Sequence, residues 1–265
     1  MTSRLPKDDP FFRVPTTIRP TSEGPVELPI RYWDVTAIVA VFAAPRAGAE
    51  AILEGTGLEP GLSLGERVGV AMAFYEYRDT SVGTYNEVGT SIFAVRRGER
   101  ARLGHADLLL PPRRRTVGAY VVDLPVTTAA ANAAGREIWG YPKFVTQIPL
   151  TLRGRALDTS VRDPNDGSPI VRLAGRLGWA VPTPPLSIMT YTRLDGALIR
   201  THVDVRGWML AHAPGSARLE VGSSKHGMAE RLRTLGLEGA VPRLVAVTDR
   251  FQSLLWPGET VPEGR

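Results

Sequence analysis

Segments suited to β-strands recur along the whole of this 265-residue chain, and no long helix alternates with them. A doubly wound parallel sheet needs a helical crossover after nearly every strand, so that architecture is disfavoured. Residues 29–42 are β-branched and aromatic, residues 68–77 alternate large and small side chains, and residues 87–95 resume the pattern after turn material at 79–83. Residues 117–124, 146–156, 168–176, 194–209, 217–221 and 244–255 have the same character. The stretch from Asp163 to Gly167 carries strong turn chemistry, and the prolines at 182–185 break the chain. Three short stretches read as helices: 47–54, closed by Gly55 and Gly57; the alanine-rich 127–137, capped by Thr127 or Thr128 with Gly135 near its end; and 228–235. The expected fold is mostly β, of the α+β kind: an antiparallel, closed, barrel-like core covered by a few short helices. Residues 1–24, rich in proline, threonine and charge, read as an extended N-terminal arm suited to exchange between subunits. Residues 25–265 read as a single domain, because no repeat or composition break divides them.

Composition removes several kinds of chemistry. The chain has no cysteine, which excludes disulfides, thiolate nucleophiles and cysteine-held metals. Its best apolar run, residues 35–45, is about half the ~20 residues a membrane-crossing helix needs. The first dozen residues lack the apolar stretch of a secretory signal, so a cytoplasmic protein is expected. The net charge of +5 invites a nucleic-acid reading, but the arginines are scattered among 27 acidic residues. The one dense run, Arg113-Arg114-Arg115, follows two prolines and reads as a solvated loop; neither nucleic acid nor membrane is an expected partner. Four histidines (His105, His202, His212 and His226) form no metal-binding pair at helical spacing, so no metal is expected. Gly61 to Gly65 matches GxSxG, yet it follows a helix and precedes a strand, the reverse of a nucleophile elbow, and reads as a loop. No glycine pattern of a nucleotide-binding loop is present.

What remains is a lysine. Of 32 basic residues 29 are arginine, and the three lysines are Lys7, Lys143 and Lys225. Lys7 lies in the arm and Lys225 in a Ser-Ser-Lys-His-Gly stretch, both solvated contexts. Lys143 is flanked by Trp139, Tyr141 and Pro142 on one side and Phe144 and Val145 on the other. Burial disfavours an ammonium ion, and a neutral amine attacks ketones to form a Schiff base whose iminium draws electrons from a neighbouring bond. The alternative is a lysine whose stem lies on aromatic surface while its head reaches water.

The segment around Lys143, Gly135-Arg136-Glu137 followed by Tyr141-Pro142-Lys143, resembles the active-site segment of the acetoacetate decarboxylase family. Asp79-Thr80-Ser81 through Tyr85-Asn86-Glu87-Val88-Gly89 is similar to a second family segment, and the stretches Gly215 to Leu219 and His226 to Ala229 to a third, in family order. The resemblance covers about residues 25 to 260. It implies that Lys143 is the Schiff-base lysine and that Glu87 acts near the reacting carbons. It also directs attention to Arg31, which lies near the place of a carboxylate-binding arginine in the first strand, and to Arg136. Three departures stand out. Phe144 replaces a second lysine of the well-studied decarboxylase, Ala73 falls where that enzyme has a glutamate, and Glu76 sits three residues later.

The implied function is a cofactor-independent lyase that decarboxylates a small β-keto acid through an iminium on Lys143. Glu87 would move a proton, Arg31 would hold the carboxylate, and Tyr85, Trp139 and Tyr141 would shape and dry the pocket. Two alternatives remain: an aldolase-dehydratase acting on pyruvate-like acids with the same lysine, and a binding protein that keeps the fold without turnover. The resemblance further implies a homo-oligomer.

Overall fold

The computed structural model describes residues 5–101, 104–111 and 114–261; Arg113 of the arginine run lies outside them. Seven strands close on themselves: β1 (Ile30–Pro45), β2 (Arg67–Thr80), β3 (Tyr85–Arg96), β4 (Gly118–Asp123), β5 (Ile188–Leu194), β6 (Ala197–Arg206) and β7 (Leu244–Leu255). Each pairs with the next, and β7 pairs with both β6 and β1, which leaves the barrel no open edge. Three helices accompany them: α1 (Arg46–Leu53), α2 (Ala129–Trp139) and α3 (Gly227–Thr234). No helix among the described residues is long and apolar enough to cross a membrane.

The closed, mostly β core is as expected, but the barrel is not wholly antiparallel. β4 and β5 run parallel, with Ala119 opposite Thr190 and Tyr120 opposite Tyr191. Parallel neighbours need a long connection, and the chain between them supplies α2 and three strands of a second, four-stranded sheet. That sheet comprises Leu150–Arg153, Ala156–Arg162, Pro169–Arg176 and Arg218–Val221.

Barrel strands bury both faces, and their period of two sorts residues between two cores. On β2, Val68, Val70, Met72 and Phe74 join an outer core with α1, α3 and the second sheet, while Tyr75 and Tyr77 face the barrel interior. On β1, a bulge around Asp34 shifts the parity, so that Tyr32 and Val35 both face inward. Such two-sided strands read as continuous apolar runs, which is why residues 29–42 showed no clean alternation.

Three local readings need correction. The expected strand 146–156 begins only at Leu150; residues 140–149 are irregular except for an isolated bridge at Val145, and they carry Lys143. The single strand expected over 194–209 is β6 alone between a hairpin turn at Asp195-Gly196, both with positive φ, that joins it to β5, and a break before a further strand at Met209–His212. Gly135 does not end α2: the helix continues to Trp139 and stops at Gly140, which is left-handed with φ 67°. Thr128 is the N-cap, its hydroxyl accepting from the Ala131 amide. Ser63 lies in a two-residue strand, Ser63–Leu64, hairpinned to β2.

The described part of the arm packs on its own barrel. Phe12 is buried, Lys7 pairs with Asp79, and Gln252 bonds both backbone polar groups of Leu5. A small hairpin of Thr17–Arg19 with Val26–Leu28 straddles the expected boundary at 24 and ties the arm to the domain.

Candidate active site

The β2–β3 hairpin sets Tyr77 opposite Tyr85 and Tyr75 opposite Glu87, which brings these four side chains onto the interior face of two adjacent strands. The lysine comes from the other side. Residues 142–146 run beside 124–126, held by bonds from the Leu124 amide to the Pro142 carbonyl (3.2 Å) and from the Val126 amide to the Phe144 carbonyl (2.9 Å). Val126 also bridges to Glu87, so one backbone segment fixes the spacing between the two charged residues. Lys143 Nζ donates to Glu87 Oε2 at 2.6 Å, and Tyr77 Oη donates to Glu87 Oε1 at 3.1 Å. Both members of the ion pair are more than nine-tenths buried.

Five of the chain's seven tyrosines (Tyr32, Tyr75, Tyr77, Tyr85 and Tyr141) are buried in this interior. Burial is the largest cause raising all five phenols above their ordinary value, and the Glu87 carboxylate adds to it. Tyr141 is pushed up to about 12. These hydroxyls therefore stay protonated at neutral pH and serve as donors. Tyr32 and Tyr85 hydroxyls lie 3.3 Å apart, and Tyr141 shares a hydrogen bond with Thr190 at 2.9 Å.

Beside Nζ is a cavity of about 10 Å³, room for about one water. Its walls include Ile30, Val82, Trp139 and Leu255, with Tyr32, Tyr85 and Tyr141 supplying the phenols. Ala131, Ala134 and Gly135 of α2 form one side. Among the described residues, Lys143 is the only cationic side chain that lines it.

Gly135 has a specific task here. A Cβ at that position would lie 2.3 Å from Cε and 2.4 Å from Cδ of Lys143, so the bare helix backbone makes the slot in which the lysine stem lies. The obstructing atoms are the movable end of a side chain, and alanine suits a helix interior better than glycine by up to ~1 kcal/mol. Gly135→Ala is thus expected to fold with a melting temperature at or above the parent's while losing at least about tenfold in Lys143 reactivity, read by reductive trapping. A variant that keeps full reactivity would show that the slot does not position the amine.

Other candidates divide. Trp139 lines the cavity and anchors itself by donating from Nε1 to the Trp256 carbonyl (2.9 Å). Tyr85 and Tyr141 present their rings 5.8 and 6.0 Å from Nζ. Arg136 is exposed and donates to the Lys143 carbonyl (2.9 Å), so it steadies the loop and does not line the cavity. Arg31 does not enter the interior: Nε donates to the Phe12 carbonyl (3.1 Å), and Nη1 meets Glu27 at 3.1 Å. Ile30 and Tyr32 face inward, and strand periodicity turns the residue between them outward. Phe144 likewise alternates away from Lys143 and packs against the His226 ring (centroids 4.4 Å apart, tilted by 42°), so it does not dry the site. Glu76 pairs with Arg78, and Ala73 borders the interior core. Arg115 of the basic run is partly buried and donates to the Leu110 and Ser187 carbonyls, so the segment is pinned at that end and not simply solvated.

Sequence reasoning did not find Tyr32, Tyr75, Tyr77 or Val82. Tyr75 and Tyr77 carried a signal: Tyr-x-Tyr before a turn and Tyr-x-Glu after it place four side chains on one face of a hairpin.

The sequence profile of the acetoacetate decarboxylase family, described as "Acetoacetate decarboxylase (ADC)", matches residues 13–203. The chain belongs to the acetoacetate decarboxylase family. No curated protein sequence matches it. Among solved structures, acetoacetate decarboxylase from Legionella pneumophila is 18% identical, with a TM-score of 0.63 and coverage of 99% of this chain and 98% of that one. The enduracididine biosynthesis enzyme MppR complexed with pyruvate is 11% identical, with a TM-score of 0.63 and 99% coverage of each chain. An acetoacetate decarboxylase-like enzyme from Sphingomonas wittichii RW1 is 15% identical, with a TM-score of 0.58 over 88% of this chain and 92% of that one. At such identities the neighbours establish the shared fold, and the family's barrel is the one described above.

Proposed function

We propose that this family member is a Schiff-base lyase that decarboxylates a short β-keto acid through an iminium on Lys143. The observation that carries the reading is the buried Lys143–Glu87 pair at 2.6 Å, set against a cavity with no second cation. Glu87 takes the proton from the Lys143 ammonium, and the freed amine attacks the ketone carbon. Water leaves the carbinolamine and an iminium forms. The bond between the α-carbon and the carboxylate then breaks, its electron pair moves into the iminium, and CO2 departs. Protonation of the resulting enamine carbon and hydrolysis return the free lysine.

The uncharged wall favours decarboxylation over aldol chemistry. A β-keto carboxylate loses its charge as the bond breaks, so an apolar wall of Ile30 and Leu255 destabilises the starting anion more than the transition state. The carboxylate of a pyruvate-like acid persists through an aldol reaction and needs a lasting partner, and Arg31 is committed to Phe12 and Glu27. One observation favours the second reading, an aldolase-dehydratase: the Tyr32 and Tyr85 hydroxyls border the cavity and can bond a carboxylate, and the similar MppR is known complexed with pyruvate.

The test is incubation with acetoacetate, or with pyruvate plus an aldehyde, in the presence of borohydride, followed by peptide mass mapping and CO2 measurement. Acetoacetate is expected to leave a reduced adduct on Lys143 and to release CO2. A condensation product from pyruvate, with no CO2 from any β-keto acid, would install the aldolase reading. Absence of any adduct would sink both.

A further inference from the structure

The cavity beside Lys143 is too small for any keto acid, so part of its wall must yield when substrate enters. The wall is uneven in one respect. Every lining residue is buried except Val82, which is partly exposed. Val82 therefore separates the cavity from solvent. It is also carried differently: the other lining residues sit on barrel strands, on α2, or on the segment hydrogen-bonded alongside Val126, whereas Val82 occupies the tip of the turn between β2 and β3.

The turn's bonds divide it into a fixed foot and a lighter tip. Ser81 is clamped to Arg31 twice, its amide donating to the Arg31 carbonyl (2.9 Å) and its Oγ accepting from the Arg31 amide (3.0 Å). The tip is held by Thr80 alone: its Oγ1 accepts from the Val82 amide (3.0 Å) and donates to the Gly83 carbonyl (2.6 Å), and its carbonyl accepts a long bond from the Gly83 amide (3.4 Å). Gly83, next to Val82, has φ 89° and no atom within 4 Å of where a Cβ would point, so the tip of the turn borders open space while Ser81 is anchored to β1.

We propose that Val82 is the specificity-determining residue of the site: its isopropyl group closes the cavity over the tail of the substrate and restricts turnover to short, unbranched β-keto acids. This rests on the Schiff-base reading above. The substrate carbon bonded to Lys143 is fixed by the Glu87 pair, so a longer tail on the far side of the ketone runs toward the solvent-facing wall. A hydrophobic wall discriminates by about 10- to 200-fold per methylene.

The test compares the parent protein with Val82→Ala and Val82→Phe on acetoacetate, 3-oxopentanoate and 3-oxohexanoate. Two readouts are taken: CO2 release, and the rate of borohydride-trapped adduct formation on Lys143. Val82→Ala is expected to raise kcat/KM for 3-oxohexanoate relative to acetoacetate by about tenfold or more, and Val82→Phe to slow adduct formation with all three. An unchanged chain-length ratio in Val82→Ala, with Lys143 still trapped at the parent rate, would overturn the role of Val82 and leave the Schiff-base reading standing. No adduct on Lys143 with any of the acids, in parent or variants, would overturn both. A melting curve for each variant separates these outcomes from misfolding, and Val82→Ile, which folds like valine but fills more space, is expected to shift the ratio the opposite way to alanine.

Discussion

Lys143→Met is expected to abolish adduct formation and to lower kcat by on the order of 10⁴-fold or more, because among the described residues no other amine borders the cavity. Its cost to stability is the more diagnostic number. The variant leaves the Glu87 carboxylate buried with only the Tyr77 hydroxyl as a partner, and breaking a buried pair from one side typically costs ~3–5 kcal/mol. Glu87→Gln keeps an acceptor for the Tyr77 hydroxyl but leaves the buried Lys143 ammonium without its counter-charge, so it should be destabilised on the same ~3–5 kcal/mol scale and, lacking the proton acceptor, lose about 10²- to 10⁴-fold in rate. The double variant Lys143→Met/Glu87→Leu replaces both charges with apolar groups and should recover most of the lost stability with no activity. Urea unfolding of the four proteins decides the matter. A double variant no more stable than Lys143→Met would mean that the unpaired Glu87 charge is not what destabilises Lys143→Met.

The second large effect is alkaline unfolding. Five interior phenols have folded-state values above the ordinary ~10 of an exposed tyrosine. Below pH ~10 both folded and unfolded chains keep these protons, and stability does not depend on them. As pH rises further, the unfolded chain releases protons that the folded chain retains, so stability falls; Tyr141 stops contributing near its folded value of about 12, and the other four phenols continue to lower stability above it. Each phenol contributes about 1.4 kcal/mol per pH unit, and five together ~7 kcal/mol per unit. Against a total stability of ~5–15 kcal/mol the barrel should open within about two units above pH 10. Ultraviolet titration should therefore show phenolates appearing in one cooperative step, together with loss of near-ultraviolet circular dichroism. Gradual ionisation of these tyrosines near pH 10 in a protein that stays folded would contradict the interior placement.

What could be read from sequence followed from local chemistry. Lys143 stood out because the chain is poor in lysine and places this one among aromatic residues, and Glu87 followed from the second family segment. Arg31 could not be placed, because its direction depends on parity in β1, and the bulge near Asp34 resets that parity only once β2 is paired alongside. Gly135 was misread for a related reason. Glycine late in an alanine-rich stretch is a stop signal by propensity alone, and its actual reason for being there is a side chain eight residues further on. The parallel contact of β4 with β5 was invisible as well, since it joins segments about 70 residues apart and leaves no local pattern.

The bulge and the period-two sorting of β1 and β2 have an evolutionary consequence. Neighbouring residues on one strand belong to separate compartments: Phe74 stiffens the outer core, while Tyr75 beside it borders the chemistry. Mutation can therefore explore the inner positions with the outer ones held constant, and a new reaction need not be accompanied by a new scaffold. A library restricted to inward positions such as Tyr32, Ala73, Tyr75 and Val82 would change the lining of the interior while leaving the outer core untouched. Randomising Phe42, Met72 and Phe74 would mostly yield proteins that fail to assemble.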